Sequence, residues 1–298
     1  MTSKISLCGY CCILGRPNAG KSTIMNSLCG QKIAIVSPKP QTTRDKIVGI
    51  RTTNISQIIF LDTPGLHVAN KPLNRRMMRE ATEATGDADV VLFLSDPLTV
   101  RIEEELEWLA EIRAKGKVII VAVNKIDQLK KEELLPLMEK FSAGGAEAVI
   151  PVSALDGDGL DILVQEIESR LPLGPRLYPE EMVTERSERF IVSETIREKV
   201  FRLTHDEVPY SCLVRIERYE EKSEKLSVVY ASICVAKESQ KGIIIGKGGS
   251  MIKRIGQEAR EDMERQTGRK FFLDLKVKTV KEWTKNEKLI KDQFRDSK

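Results

Sequence analysis

The chain has 298 residues, 41% apolar and 31% charged, which excludes a disordered chain and suits about two domains, each with its own core. No apolar run approaches the roughly 20 residues of a membrane-spanning helix. The formal net charge of +4 is unevenly placed: residues 1–175 hold 21 Lys+Arg against 22 Asp+Glu, and residues 176–298 hold 27 against 22, so an anionic partner is expected in the C-terminal part.

Because Met1–Lys4 run straight into the expected first strand, no signal peptide is expected. Residues 8–14 read as a buried strand, followed by a glycine-bracketed loop and a helix from about Lys21 to Cys29. Residues 31–46, rich in Pro, Lys and Thr, read as a loop that orders on demand. Strands are expected at 47–51, 57–61, 89–95, 118–123 and 148–152, and helices at 70–86, 102–114, 131–142 and 159–171. The run 118–123 (VIIVAV) is apolar on both faces, as a covered parallel strand requires. Strands alternating with helices predict an α/β fold with a doubly wound, mostly parallel sheet.

Residues 171–179 hold three prolines and a glycine and read as the interdomain linker, which sets the domains at 1–175 and 176–298. Beyond it come a helix at 186–203, strands at 213–219 and 226–235 around a charged turn, and a helix at 238–245. The loop Gly246-Lys247-Gly248-Gly249, a helix at 250–266, a strand at 271–277 and a polar tail helix follow. This is a smaller α+β domain, and no internal repeat is visible.

Six cysteines lie at 8, 11, 12, 29, 212 and 234. Cys8 and Cys11 have C-x-x-C spacing, but no second Cys or His pair completes a zinc site, so buried thiols and a reducing cytoplasm are expected.

Gly15-Arg16-Pro17-Asn18-Ala19-Gly20-Lys21-Ser22-Thr23 has the spacing G-x-x-x-x-G-K-[ST] between a strand and a helix. Glycines let backbone N–H groups wrap phosphates, Lys21 reaches the β- and γ-phosphates, and the Ser22 hydroxyl suits Mg²⁺. The helix that starts there points its positive end at the same phosphates. Asp62-Thr63-Pro64-Gly65 follows an apolar strand; Asp62 suits a metal-bound water and the Gly65 N–H a γ-phosphate. Asn124-Lys125-Ile126-Asp127 follows the VIIVAV strand. An Asp127 carboxylate can accept guanine N1–H and its amino group, a donor pair adenine lacks; Asn124 can bond the base edge and Lys125 lie along the ring. Ser153-Ala154-Leu155 follows the next strand, where a backbone N–H can meet guanine O6. In the loop 40–45 (PQTTRD), Thr43, with Thr42 second, is expected to complete the Mg²⁺ shell when a γ-phosphate is present.

GRPNAGKS, QTTRD, DTPG, NKID and SAL resemble the five G motifs of the translation-factor class of GTPases, and QTTR and DTPGLH resemble the Era family within it. Gly246-Lys247-Gly248-Gly249 between two helices, with Lys253 and Arg254 following, resembles the loop by which a type II KH module clamps single-stranded nucleic acid. Residues 237–281 hold 12 Lys+Arg against 6 Asp+Glu. Ile243, Ile244, Ile252 and Ile255 are expected in the core, and with few aromatics nearby stacking on Phe or Tyr is not expected to dominate. With VPYS at 208–211 opening this domain, the resemblance covers essentially the whole chain.

The resemblance implies a GTPase that turns GTP into GDP and phosphate with Mg²⁺, binds the 3′ end of small-subunit ribosomal RNA and assists assembly of the small ribosomal subunit. Lys21, Thr43 and Gly65 would carry catalysis, and Ser22, Thr43 and Asp62 the metal. A monomer in the cytoplasm is implied. The open alternatives are a GTP-sensing RNA-binding module with negligible turnover and a regulator peripheral to the inner face of the cell membrane. Leu66 stands where Ras-like switches carry a water-orienting glutamine. Related GTPases with the P-N-A-G-K-S sequence use their asparagine to help hold K⁺, which makes K⁺ at Asn18 a further candidate cofactor.

Overall fold

The computed structural model describes residues 5–37, 39, 47–63, 82–281 and 283. The chain folds into two compact units, the first ending at Glu185 and the second beginning at Arg186, with residues 35–37 and 39 also grouped with the second.

The first unit is a mostly parallel sheet. Its strands are β1 (Ile5–Gly15), β2 (Ile47–Thr52), β3 (Ser56–Asp62), β4 (Val90–Ser95), β5 (Val118–Val123) and β6 (Ala148–Pro151). They run in the order β2-β3-β1-β4-β5-β6, with only β2 antiparallel to its neighbour on that path. β3 and β4 are buried along their whole length because both faces of the sheet are covered. The helices are α1 (Lys21–Cys29), α2 (Ile102–Ala114), α3 (Lys131–Ala143) and α4 (Leu160–Glu168), with residues 82–87 also helical. Leu109 and Ile112 of α2 and Phe141 of α3 join Val91, Phe93 and Val121 in one core. The parallel order places the C-terminal ends of β1, β3, β5 and β6 along one edge, where an open α/β sheet builds its ligand site.

The second unit follows the order α5 (Glu188–Leu203), β8 (Cys212–Ser223), β9 (Leu226–Val235), α6 (Glu238–Ile245), α7 (Ser250–Thr267), β10 (Lys270–Thr279). β9 lies between an antiparallel β8 and a parallel β10. Ser187 caps α5 by accepting from the Phe190 N–H at 3.3 Å. Ile196 and Val200 of α5, Ile244 of α6 and Ile255 and Ala259 of α7 pack on Val229, Ala231 and Ile233 of the sheet. Among the described residues no helix is long and apolar enough to cross a membrane.

Three expectations need correction. The proline run is not a free linker: β7 (Leu173–Pro175) pairs antiparallel with the start of β1. The Gln57 side chain then accepts the N–H groups of Leu177 and Tyr178, and the Ile50 N–H donates to the Val183 carbonyl, so the first unit extends past 175. Second, the start of the loop at 31–46 is packed. Asn26 Oδ1 accepts the N–H groups of Ile33 and Ala34 while its Nδ2 donates to the Ala34 carbonyl, and Ile33, Ala34 and Ile35 are buried. Third, Ile243 is 49% exposed and Ile252 lines a groove; only Ile244 and Ile255 enter the core. Cys8 and Cys11 lie buried on β1, with the Cys8 thiol against Gln57 Oε1. Most of the helix expected at 70–86 and nearly all of the tail helix lie outside the described residues.

Candidate nucleotide-binding and RNA-binding sites

β1 ends at Gly15, and the loop to α1 turns through positive φ at Asn18 (66°) and Gly20 (98°). A Cβ on Gly15 would meet the Leu94 carbonyl at 2.4 Å, and one on Gly20 would meet Asn124 Nδ2 at 2.3 Å. Both glycines are therefore required by close approach within the loop's own wall. Gly20 caps α1 without a side-chain hydrogen bond, so the first-turn N–H groups of a nine-residue helix are offered to an anion. Lys21 is buried, and its ammonium donates to the carbonyls of Gly15 (3.0 Å) and Arg16 (2.7 Å). Burial pushes its pKa down to about 8, with Asp62 pulling the other way.

Ser22 Oγ donates to Asp62 Oδ2 at 2.7 Å, bringing together from α1 and β3 the two hard oxygen ligands expected for Mg²⁺. Thr63 is fully buried and donates to the Ile13 carbonyl, which fixes the end of β3 beside β1. Thr42, Thr43, Pro64, Gly65 and Leu66 lie outside the described residues.

The Asn124 side chain is held within the protein. Its Nδ2 donates to the Ala19 carbonyl at 2.8 Å and its Oδ1 accepts the Ala154 N–H at 3.0 Å. One buried amide thus ties the phosphate loop to the Ser153–Leu155 stretch. Lys125 takes a left-handed turn (φ 64°) and pairs with the buried Asp96 carboxylate at 2.5 Å. Ile126 and Asp127 begin a short 3₁₀ turn; Asp127 is exposed, and the Ser153 hydroxyl donating to its Oδ1 at 2.8 Å lowers its pKa. Leu155 is 79% exposed at the rim. Pro17 within the loop and Thr23 in α1 are half-buried.

The Arg16 side chain reaches away from the loop. Its guanidinium turns onto α2, bonding Glu105 at 3.1 Å and Glu104, and lies 5.0 Å from the Trp108 ring centroid. Glu105, Trp108 and Asp96 were not expected at the site; a Glu pair in an amphipathic helix carries no signal that its partner is a loop more than 80 residues upstream.

In the second unit, Gly246, Gly248 and Gly249 all have positive φ. A Cβ on Gly246 would meet Met251 Cβ at 2.7 Å, whereas Gly248 and Gly249 face open space. Beside this loop α7 and β10 form a groove of about 320 Å³ lined by Ile252, Lys253, Gly256, Arg260, Leu273 and Leu275. Lys247 and Lys253 are exposed; Arg254 pairs with Glu258 at 2.9 Å. An open glycine loop beside an apolar, base-sized groove with a basic rim can hold a backbone and rest bases.

A family model described as "50S ribosome-binding GTPase" matches residues 10–125, and one described as "KH domain" matches residues 207–284. A GTPase Era from Syntrophus aciditrophicus is 44% identical over 286 residues, covering 95% of this chain and 94% of the relative. The chain belongs to the Era GTPase family. A GTPase Era from Coxiella burnetii is likewise 44% identical, covering 97% of this chain and 98% of that one. The fold matches a crystal structure of an Aquifex aeolicus Era variant bound to GDP·AlF₄⁻ with a TM-score of 0.90 at 38% identity, covering 95% of this chain and 97% of that one. It matches Era in complex with MgGDPNP and nucleotides 1506–1542 of 16S ribosomal RNA with a TM-score of 0.90 at 37% identity, covering 96% and 98%. Both units of the Era architecture are thus present in this chain.

Proposed function

We propose that this Era-family protein hydrolyses GTP to GDP and phosphate and binds the 3′ end of small-subunit ribosomal RNA through its KH domain, in the cytoplasm, during small-subunit assembly. The observation that carries the reading is one chain in which a glycine-built phosphate loop is tied to the asparagine of N-K-x-D and a positive-φ glycine loop borders an apolar groove.

The Gly15–Ser22 backbone would hold the phosphates, with the Lys21 ammonium, held between two carbonyls, directed at them. The oxygens of Ser22 and Asp62 fit Mg²⁺, and Thr43 is the remaining proposed ligand. Mg²⁺, when bound, neutralises charge on the transferring phosphoryl group. Because in-line attack of water leaves little covalent chemistry to the protein, its part is positioning and electrostatics. Asp127, its carboxylate held ionised and exposed, accepts the guanine donors.

Steady-state GTP turnover, with and without RNA of the small-subunit 3′ end, tests this reading. Turnover that rises with RNA supports it. Tight GTP binding with no turnover in either condition assigns the chain to the GTP-sensing alternative, which Leu66 in place of glutamine favours. Flotation with anionic liposomes tests peripheral attachment to the inner face of the membrane, and sedimentation tests the monomer.

A further inference from the structure

The three-stranded sheet of the second unit has two faces. One carries Val229, Ala231, Ile233 and Phe271 into the core beneath the helices. Strand alternation sends Tyr230, Ser232 and Phe272 to the other. At one end of that outer face Trp283 lies buried against Leu213 and Cys234. At the other end the Tyr230 and Phe272 rings lie 6.0 Å apart at 57°, and the Arg218 guanidinium, in register with Tyr230, lies 6.0 Å from its ring centroid. Phe272 is 52% exposed and the Arg218 side chain 59%. A phenylalanine ring so open adds little to the core.

The charge around the ring pair suits a polyanion. Arg215 and Lys276 flank Ser232 from the two neighbouring strands, and Lys278 stands one outward position further along β10. The carboxylates on this face are Glu217, Glu220 and Asp274; Glu217 pairs with Lys278 and Glu220 with Arg218. Flat rings, a guanidinium and flanking cations on an open strand face are what stacking of single-stranded bases uses.

β10 is an edge strand whose alternate residues serve both faces: Leu273 and Leu275 line the groove beside the glycine loop, and Phe272 lies on the outer face. A strand of RNA leaving the groove needs to pass around one β-strand to reach the ring pair.

We propose that the outer sheet face is a second RNA-binding site, on which bases 3′ or 5′ of the clamped segment stack against Tyr230 and Phe272 while Arg218, Arg215 and Lys276 meet the phosphates. This rests on the reading of the glycine loop and its groove as an RNA clamp.

The test uses the full-length protein with Mg²⁺ and a non-hydrolysable GTP analogue. Its probes are two unstructured RNAs from the small-subunit 3′ end, one of about 4 nucleotides that the glycine loop and groove alone clamp and one of about 20. Phe272→Ala and Tyr230→Ala each weaken the longer RNA about tenfold by fluorescence anisotropy and leave the shorter unchanged, and Phe272→Tyr retains both. Crosslinking of the longer RNA, carrying 4-thiouridine, to the unaltered protein labels β9 or β10 at these rings, a readout independent of variant folding. Unchanged affinity for the longer RNA, an equal loss for both RNAs, or no label on these strands overturns the proposal. So does a shift in oligomeric state without a change in RNA binding, which assigns the face to a second copy. If the unaltered protein binds neither RNA, the clamp reading itself has failed, and Gly249→Asp will then also be without effect.

Discussion

Arg16 of the phosphate loop donates its Nε to the fully buried carboxylate of Glu105 at 3.1 Å, across the face of Trp108. The loop that is to receive phosphates is thereby held from outside as well as by its own glycines. Burial pushes the Glu105 pKa up, and the Ser95 hydroxyl and Arg16 pull it back. Arg16→Ala removes that cation. The folded carboxyl then stays protonated further above its ordinary value of 4.5, while the unfolded one ionises, so the folded state binds more protons and stability falls as pH rises above that value. Breaking such a buried pair costs about 3 kcal/mol where the acid would be charged. Urea midpoints of nucleotide-free protein at pH 5 and pH 8 check this. The variant loses more at pH 8; an equal loss at both sinks the account.

Asn124 yields a second prediction. It serves Ala19 and Ala154 from one buried side chain, so Asn124→Ala strands two backbone groups. Each unsatisfied group costs about 1–3 kcal/mol. The variant therefore loses at least about 2 kcal/mol in denaturant unfolding without any nucleotide present. A residue whose job is only the base edge shows no such loss, and an unchanged midpoint removes the tether.

Much of this was legible in the sequence for a physical reason. The phosphate loop, the Asp62 and Asp127 stretches and the glycine loop of the KH domain are local: their glycines and short side chains act within a few residues of one turn. The run 118–123 gave its strand end to end, because a strand covered on both faces has no polar side to blur its limits. What stayed hidden is long-range. That Asn124 faces Ala19, that Arg16 turns to Glu105 and that Gln57 pins the backbone at 177–178 all depend on which strand lies beside which. Prolines at 172, 175 and 179 promised a linker, yet an edge of β1 was there to pair with part of it. The aromatic pair on the outer sheet escaped because Tyr230 and Phe272 stand 42 positions apart and meet only through the register of β9 and β10.

Base choice follows from Asp127. Asp127→Asn replaces an acceptor for both guanine donors by a group that cannot accept both, and loss of such paired polar recognition costs discrimination on the order of 10⁴. GTP binding becomes weak and xanthosine triphosphate binding is gained. Titration with the two nucleotides checks it, and undiminished GTP affinity removes the assignment of this carboxylate to the base.

The KH loop gives a prediction separable from the nucleotide site. Gly249 has φ 79° and open space above it, so Gly249→Asp both strains the turn and places a carboxylate where phosphate is to lie. RNA affinity at fixed salt falls by more than about tenfold while GTP affinity is retained. Filter binding with both ligands distinguishes the outcomes, and unchanged RNA affinity counts against the clamp.

Asn18 stands exposed at the crest of the phosphate loop with φ 66°, and its side-chain carbonyl can serve a monovalent cation. The residue after Gly65 is Leu66, which has no group to orient water or to carry charge. A monovalent cation held there would add positive charge beside Mg²⁺ and Lys21. The resemblance of the loop sequence to GTPases that hold K⁺ through this asparagine makes K⁺ the cation to test. Turnover measured at equal ionic strength is therefore faster in KCl than in NaCl. Asn18→Ala removes the difference and leaves the slower rate, with Mg²⁺-dependent GTP binding retained. Equal rates in the two salts, or a K⁺ effect that survives in the variant, end the idea and leave water positioning to bound RNA or to a partner.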